Sequence, residues 1–211
     1  KQRLEHHRRC FAEGRGHEYY YKFPISAGVW TEYPGLEVDN CEVAGWSLGA
    51  INLKAGDRHH VHHNFIHHNQ YNGLGYGVCL EKAFALIESN LFNYNRHSIA
   101  GDGSAGSGYE ARHNIELGHS LGHCFDMHGG ADRQDGTDIA GTWLKIHHNT
   151  FRCPQKHPVV IRGLPEQGAD IHHNWFLYHP QAGVIGPGWP SAPKAAVLAH
   201  GRTRIHDNAC G

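Results

Sequence analysis

A unit of about 25 residues recurs along this chain and restricts its fold more than any other feature of the sequence. Its usual form is an apolar residue, two variable positions, Asn, one further variable position and a second apolar residue. Seven segments carry it: Glu37-Val38-Asp39-Asn40, Val61-His62-His63-Asn64, Ile87-Glu88-Ser89-Asn90, Ala111-Arg112-His113-Asn114, Ile146-His147-His148-Asn149, Ile171-His172-His173-Asn174 and Ile205-His206-Asp207-Asn208. The first and fourth lack the branched apolar start. Successive Asn residues are 24, 26, 24, 35, 25 and 34 positions apart, so two of the turns carry loop insertions.

A unit this short, without helical periodicity, cannot bury a face alone, whereas stacked copies can. The sequence therefore predicts a solenoid. A Leu ladder is absent, and short strands separated by Asn- and Gly-bearing bends fit a parallel β-helix in which the Asn residues stack, each amide bonding the next. The 27 Gly and 22 His beside one Met favour short strands and tight turns over long helices.

Charge excludes some partners. Lys plus Arg is 19 against 20 Asp plus Glu, a net charge of −1, which gives no overall pull toward nucleic acid or anionic lipid. Apolar runs break well short of the roughly 20 residues that span a bilayer. Neither nucleic acid nor membrane is expected as a partner. Cys10, Cys41, Cys79, Cys124, Cys153 and Cys210 form no Cys-x-x-Cys pair, and an even, scattered set points to a few disulfides in a secreted, extracellular protein. The chain starts Lys1-Gln2-Arg3 without an apolar leader, as expected of a processed form or of part of a longer chain.

With these repeats, residues 35–211 resemble the right-handed parallel β-helices of the pectate-lyase-like superfamily. The resemblance implies an all-β, right-handed solenoid of about seven rungs. Residues 1–34, with Arg8, Arg9, Tyr19, Tyr20, Tyr21 and Pro24, lack the repeat and are expected to form an irregular N-terminal cap or the remnant of earlier rungs.

Each turn holds a second β-like segment after its Asn. Aligning these segments and applying period-two alternation puts Ile51, Leu53, Val78, Leu80, Ile99, Phe125, Met127, Val159 and Ile161 inside. Lys54, Glu81, Asp102, His128 and Arg162 then face outward in one column, with Asp126 outward between Ala100 and Val160. Such a column is either a solvated face of weak ion pairs or an acid, a base and a cation held on rigid adjacent rungs beside a groove. The turn holding His119, His123, Asp126 and His128 is one of the two enlarged ones, and enlarged turns commonly wall a cleft.

The stretch His123-Cys124-Phe125-Asp126-Met127-His128 is similar to the Asp-Pro-His motif of mannuronan C5-epimerases, β-helix enzymes whose His and Tyr exchange the proton at C5 of a uronate. Phe125, Asp126 and His128 match; the family's Pro is Met127 here, and its Tyr is His123. The resemblance implies a carbohydrate-active protein acting on an acidic, uronate-containing polysaccharide by lyase or C5-epimerase chemistry, with no required cofactor. Removing H5 needs a base such as His128, oriented by Asp126, and a cation such as Arg162 to meet the carboxylate. Tyr109, His123 and His97 are candidate proton donors for the opposite side, and Lys54, Glu81 and Asp102 candidate substrate-binding groups. A hydrolase would instead pair the carboxylates of Glu81, Asp102 and Asp126.

Two other function classes fit. One is a non-catalytic structural or carbohydrate-binding β-helix that self-associates end to end through its open strands. The other is metal binding through His ladders, since His62, His147, His172 and His206 share one repeat position and His63, His113, His148 and His173 the next. Pairs one rung apart, His147 with His172 or His148 with His173, would offer ligands to a divalent metal, Zn²⁺ or Cu²⁺ before Ca²⁺; the alternative is a stacking ladder beside the Asn bend. Protonating many His together predicts lower stability near about pH 5 than at about pH 7.5. The Gly-rich stretch from Gly101 to Gly108 reads as a bend, having no Walker Lys. Trp175, Trp189, Tyr76 and Tyr178 would stack on sugar rings if exposed.

Overall fold

A computed structural model describes residues 9, 13, 25–71, 73–154, 156–186 and 194–211. Arg8, Cys10, Tyr19, Tyr20, Tyr21, Pro24 and Trp189 lie outside the described residues. The described chain is almost entirely β, with a four-residue helix at Gly130–Arg133 and a helical residue at Arg9. Its strands pair in parallel and wrap into a nearly closed sheet, a form compatible with a β-helix. Among the described residues, no helix is long and apolar enough to cross a membrane.

The strands fall into three faces. The first carries Ala27–Thr31, the first half of Gly49–His62, the first half of Tyr76–Glu88, then His97–Gly101, Phe125–Met127, Val159–Ile161 and Ala195–Ala199. The second carries Glu37–Asp39, the later halves of the two long strands, Gly108–Arg112, Trp143–His147, Gly168–His172 and Thr203–His206. The third is a seven-stranded sheet running from Glu42–Ala44 to Ala209–Cys210. The strand Ala27–Thr31 belongs to this pairing although the repeat does not reach it. Near the C-terminus the order reverses: Ala195–Ala199 lies between Val159–Ile161 and the earlier strand Gln181–Ile185.

The expected register of the first face holds. Ile51 lies beside Val78, Val78 beside Ile99, Ile99 beside Phe125 and Phe125 beside Val159. All five are fully buried. Their burial removes apolar surface from water at roughly 1.5–3 kcal/mol per large side chain. Phe125, Phe151 and Phe176 continue the core with ring centroids 4.9 and 5.1 Å apart.

Between the second and third faces the chain turns through a residue in the left-handed region, then an Asn, buried in every turn but the last. His63, Ser89, His113, His148, His173 and Asp207 have φ between 50° and 56°. His and Asp enter this region more readily than most residues, which gives the repeat's third position a backbone role. The Asn ladder is as expected. Asn64, Asn90, Asn114 and Asn149 each donate from Nδ2 to Oδ1 of the next Asn at 3.0 to 3.1 Å, and Asn174 does so to Asn208.

The first repeat is displaced by one residue from the sequence alignment. Val38 pairs with Val61, so Asn40 takes the left-handed place of His63 and Cys41 the place of Asn64. The ladder accordingly ends with the Cys41 backbone N–H donating to Asn64 Oδ1. A second, shorter ladder joins Asn69 to Asn95 at the bend after the third face.

Candidate active site

Lys54, Glu81, Asp102, His128 and Arg162 each follow directly on one of the paired residues Leu53, Leu80, Gly101, Met127 and Ile161, so the strands place them side by side as expected. The first four line an open cleft of about 210 Å³ together with Leu48, Asn52, Leu74, Tyr76, Cys79, Ala100 and Gly101. Lys54 pairs with Glu81, and its ammonium sits 4.6 Å from the Trp30 ring centre. Asp102 accepts from the Ser104 backbone N–H at 2.9 Å and from its hydroxyl at 2.7 Å, which fixes the loop that enters the Gly-rich bend. That loop presses on the strand end at His128. Gly103 has φ +78°, and a Cβ there would collide with the His128 carbonyl.

Asp126 lies between Ala100 and Val160 as expected, yet it is fully buried. Arg162 grips it from Nε at 3.0 Å and Nη2 at 2.6 Å, while Nη1 holds Asp132 at 3.0 Å. His128 Nε2 is 3.2 Å and His97 Nε2 3.6 Å from Asp126 Oδ2. Burial pushes the Asp126 carboxyl up, but the His128 contact and the charge of Arg162 outweigh it and hold the group well below the usual carboxylate range. Burial lowers His97 to about 3, so its imidazole is neutral at pH 7 and the ionised state of Asp126 rests on Arg162 and His128. The arrangement is an imidazole at a cleft wall, braced from behind by a buried, clamped carboxylate.

The other candidate proton donors lie away from the cleft surface. Tyr109 is on the second face and fully buried, with a hydroxyl that finds no hydrogen bond among the described residues. Burial and then Asp126 raise its pKa well above 10. His97 presents Nδ1 to the His123 carbonyl at 2.6 Å, and burial lowers His123 to about 4. Both imidazoles belong to a column with Tyr76 and His157, with ring centres 5.8 to 6.2 Å apart. Arg162, expected to meet a substrate carboxylate, is already committed to Asp126 and Asp132.

Of the enlarged turn only His128 lines the cleft; the turn's other contribution is hydrogen bonding behind the site, through residues the repeat gave no reason to single out. Its short helix supplies Asp132 to Arg162, and Arg133 Nη1 donates to the Asp102 carbonyl at 2.8 Å. Tyr76 also went unassigned to chemistry. It lines the cleft, donates from its hydroxyl to the Gly73 carbonyl at 3.1 Å, and has a pKa that burial raises to about 12. Trp175 and Tyr178 are about half exposed but on the chain around the third face rather than among the cleft residues.

The His ladders form as stacks. His147 and His172 lie 4.9 Å apart with 4° between ring planes, and His148 and His173 5.1 Å apart with 8°. Each lone pair lies in its own ring plane, so parallel stacked rings keep their lone pairs in separate planes and these pairs do not converge on one ion. A group of donors able to hold a metal is found instead at Glu37, His60 and His62. The expected disulfides are not formed among the described residues. Cys124 and Cys153 approach to 2.7 Å between sulfurs, beyond bonding distance, and Cys41, Cys79 and Cys210 are also free. No family model matches this sequence, and no curated protein or solved structure matches it either.

Proposed function

We propose that the chain is a right-handed parallel β-helix of about seven turns, similar in architecture to the pectate-lyase-like superfamily, and that its cleft acts on an acidic, uronate-containing polysaccharide by lyase or C5-epimerase chemistry. The observation that carries this reading is His128 at the cleft wall with Nε2 3.2 Å from the fully buried Asp126, which Arg162 clamps through two hydrogen bonds. A carboxylate fixed behind an imidazole orients it and stabilises its protonated form, which suits a general base.

In this account His128, unprotonated, takes H5 from a uronate residue. Lys54 exchanges Glu81 for the substrate carboxylate and offsets the charge that develops on it; Arg162 stays with Asp126. If the C5 electron pair then forms the C4=C5 double bond while the 4-linked oxygen leaves with the C4–O4 pair and takes a proton from water, the product is an unsaturated sugar. If C5 is reprotonated from the other side, the product is the epimer, and the Tyr76 hydroxyl is the cleft phenol that supplies that proton, burial keeping it protonated at neutral pH.

Proton NMR of alginate, polygalacturonate and glycosaminoglycans before and after incubation tests this. New olefinic signals identify a lyase, and shifted anomeric signals without cleavage an epimerase. Spectra unchanged by the wild type, or His128→Ala matching it in activity, would overturn the assignment.

A further inference from the structure

We propose that Glu37, His60 and His62 form a binding site for a divalent transition-metal ion of the Zn²⁺ or Cu²⁺ class. Carboxylate–imidazole contacts recur on the outer surface of this molecule: Glu37 with His62 at 3.0 Å, Glu42 with His67 at 2.9 Å and Glu110 with His147 at 3.1 Å. One of them differs. In the register of the second face, Glu37 is followed by His60, Leu86, Glu110, Lys145, Asp170 and Arg204. His60 is the imidazole in that row, and it stands beside His62 with ring centres 3.9 Å apart and planes 30° apart. One donor atom from each of Glu37, His60 and His62 lies within 4.8 Å of the other two, a convergence the parallel stacks lack.

Two imidazoles and one carboxylate suit Zn²⁺ and Cu²⁺, which bind nitrogen and oxygen at about 2.0–2.2 Å, and are too few for Ca²⁺, which takes 6–8 oxygens. Drawing the donors onto one ion needs only a short closure of the exposed Glu37 side chain onto two part-buried imidazoles. The surroundings orient the ligands: His63 Nδ1 is 2.8 Å from His62 Nδ1, and Glu88, itself held by Arg112, is 2.8 Å from His60 Nε2. Because Glu37 is largely exposed, water completes the coordination. The ion would tie Glu37–Asp39, the first strand of the second face, to its neighbour Gly49–His62, so binding also stabilises the fold.

Calorimetric titration of the untagged, metal-stripped protein with a zinc salt tests the site, with melting followed in parallel. One equivalent should bind and raise the Tm. Glu37→Gln, a change at an exposed position, and His62→Ala should each weaken binding about tenfold or more. The double variant His147→Ala/His172→Ala should bind as the wild type does. Absence of saturable uptake, undiminished binding in both single variants, or loss of binding in the ladder variant would overturn the proposal.

Discussion

Glu116 is a carboxyl group inside the core, and replacing it with Gln measures what it costs. It sits on the inner side of the third face between Phe92 and Phe151, 1% exposed. Neither oxygen has a well-aligned hydrogen bond among the described residues. Burial raises its pKa from the usual 4.5 to about 8, with the nearby Ser98 hydroxyl offsetting part of the effect. The folded protein therefore keeps the proton that the unfolded chain releases above pH 4.5, so stability falls as pH rises from 4.5 toward 8. A shift of that size costs about 4 kcal/mol at pH 7.5 and about 1 kcal/mol at pH 5. Urea unfolding of the wild type and Glu116→Gln at the two pH values should show the variant gaining about 3 kcal/mol relative to the wild type on going from pH 5 to pH 7.5. Using the difference between pH values cancels the packing change made by the amide. Parallel pH curves for the two proteins would refute the burial of a protonated Glu116.

His97 and His123 act in the opposite direction: burial holds them at about 3 and about 4, so as pH falls below 6.5 the unfolded chain takes up protons the folded one refuses, and about 2 kcal/mol per group is lost by pH 5. Glu116 offsets most of that loss in the wild type, and Glu116→Gln should expose it as a marked fall in Tm between pH 7.5 and 5; an unchanged Tm in this variant would count against neutral buried imidazoles. Asn114→Ala removes four hydrogen bonds of its amide, to the Ile87 carbonyl and Asn149 Oδ1 and from the Asn90 backbone N–H and Nδ2, and leaves the Asn90 N–H without its acceptor; it should cost about 3–5 kcal/mol in urea unfolding, and a loss below about 1 kcal/mol would remove the ladder as a source of stability. Arg162→Met strips the guanidinium from a fully buried carboxylate, leaving it only its imidazole contacts, and should cost about 3–5 kcal/mol, with Arg162→Met/Asp126→Asn losing less than the sum of the single changes; strict additivity would contradict the clamp.

Much of the strand framework was legible because the inward residues obey two periods at once, alternation along each strand and recurrence at each turn. Ile51, Val78, Ile99, Phe125 and Val159 satisfy both, which fixed the outward column of Lys54, Glu81, Asp102, His128 and Arg162. The Asn40 slip shows where pattern misleads. An Asn is equally suited to the left-handed bend and to the ladder position after it, and only the pairing of Val38 with Val61 separates the two. Glu116 occupies an inward place where a polar residue gives no apolar signal, and Tyr109 reads as a surface phenol until the second face turns it inward. The commitments of Arg162 were hidden for another reason. Asp132 comes from a loop insertion outside the repeat, so no register places it. Stacking of the His ladders followed from the repeat, but ring orientation, which decides whether lone pairs meet, does not.

The most direct test of the proposed chemistry is deuterium wash-in. Uronate polysaccharide is incubated with the protein in D₂O, and the C5 position is read by NMR for wild type and His128→Ala. Proton abstraction by His128 predicts deuterium at C5 of recovered or epimerised residues, or an olefinic product, with the wild type and neither with His128→Ala. Protium retained at C5 with no new product across the panel, or wash-in that persists in His128→Ala, would contradict the account.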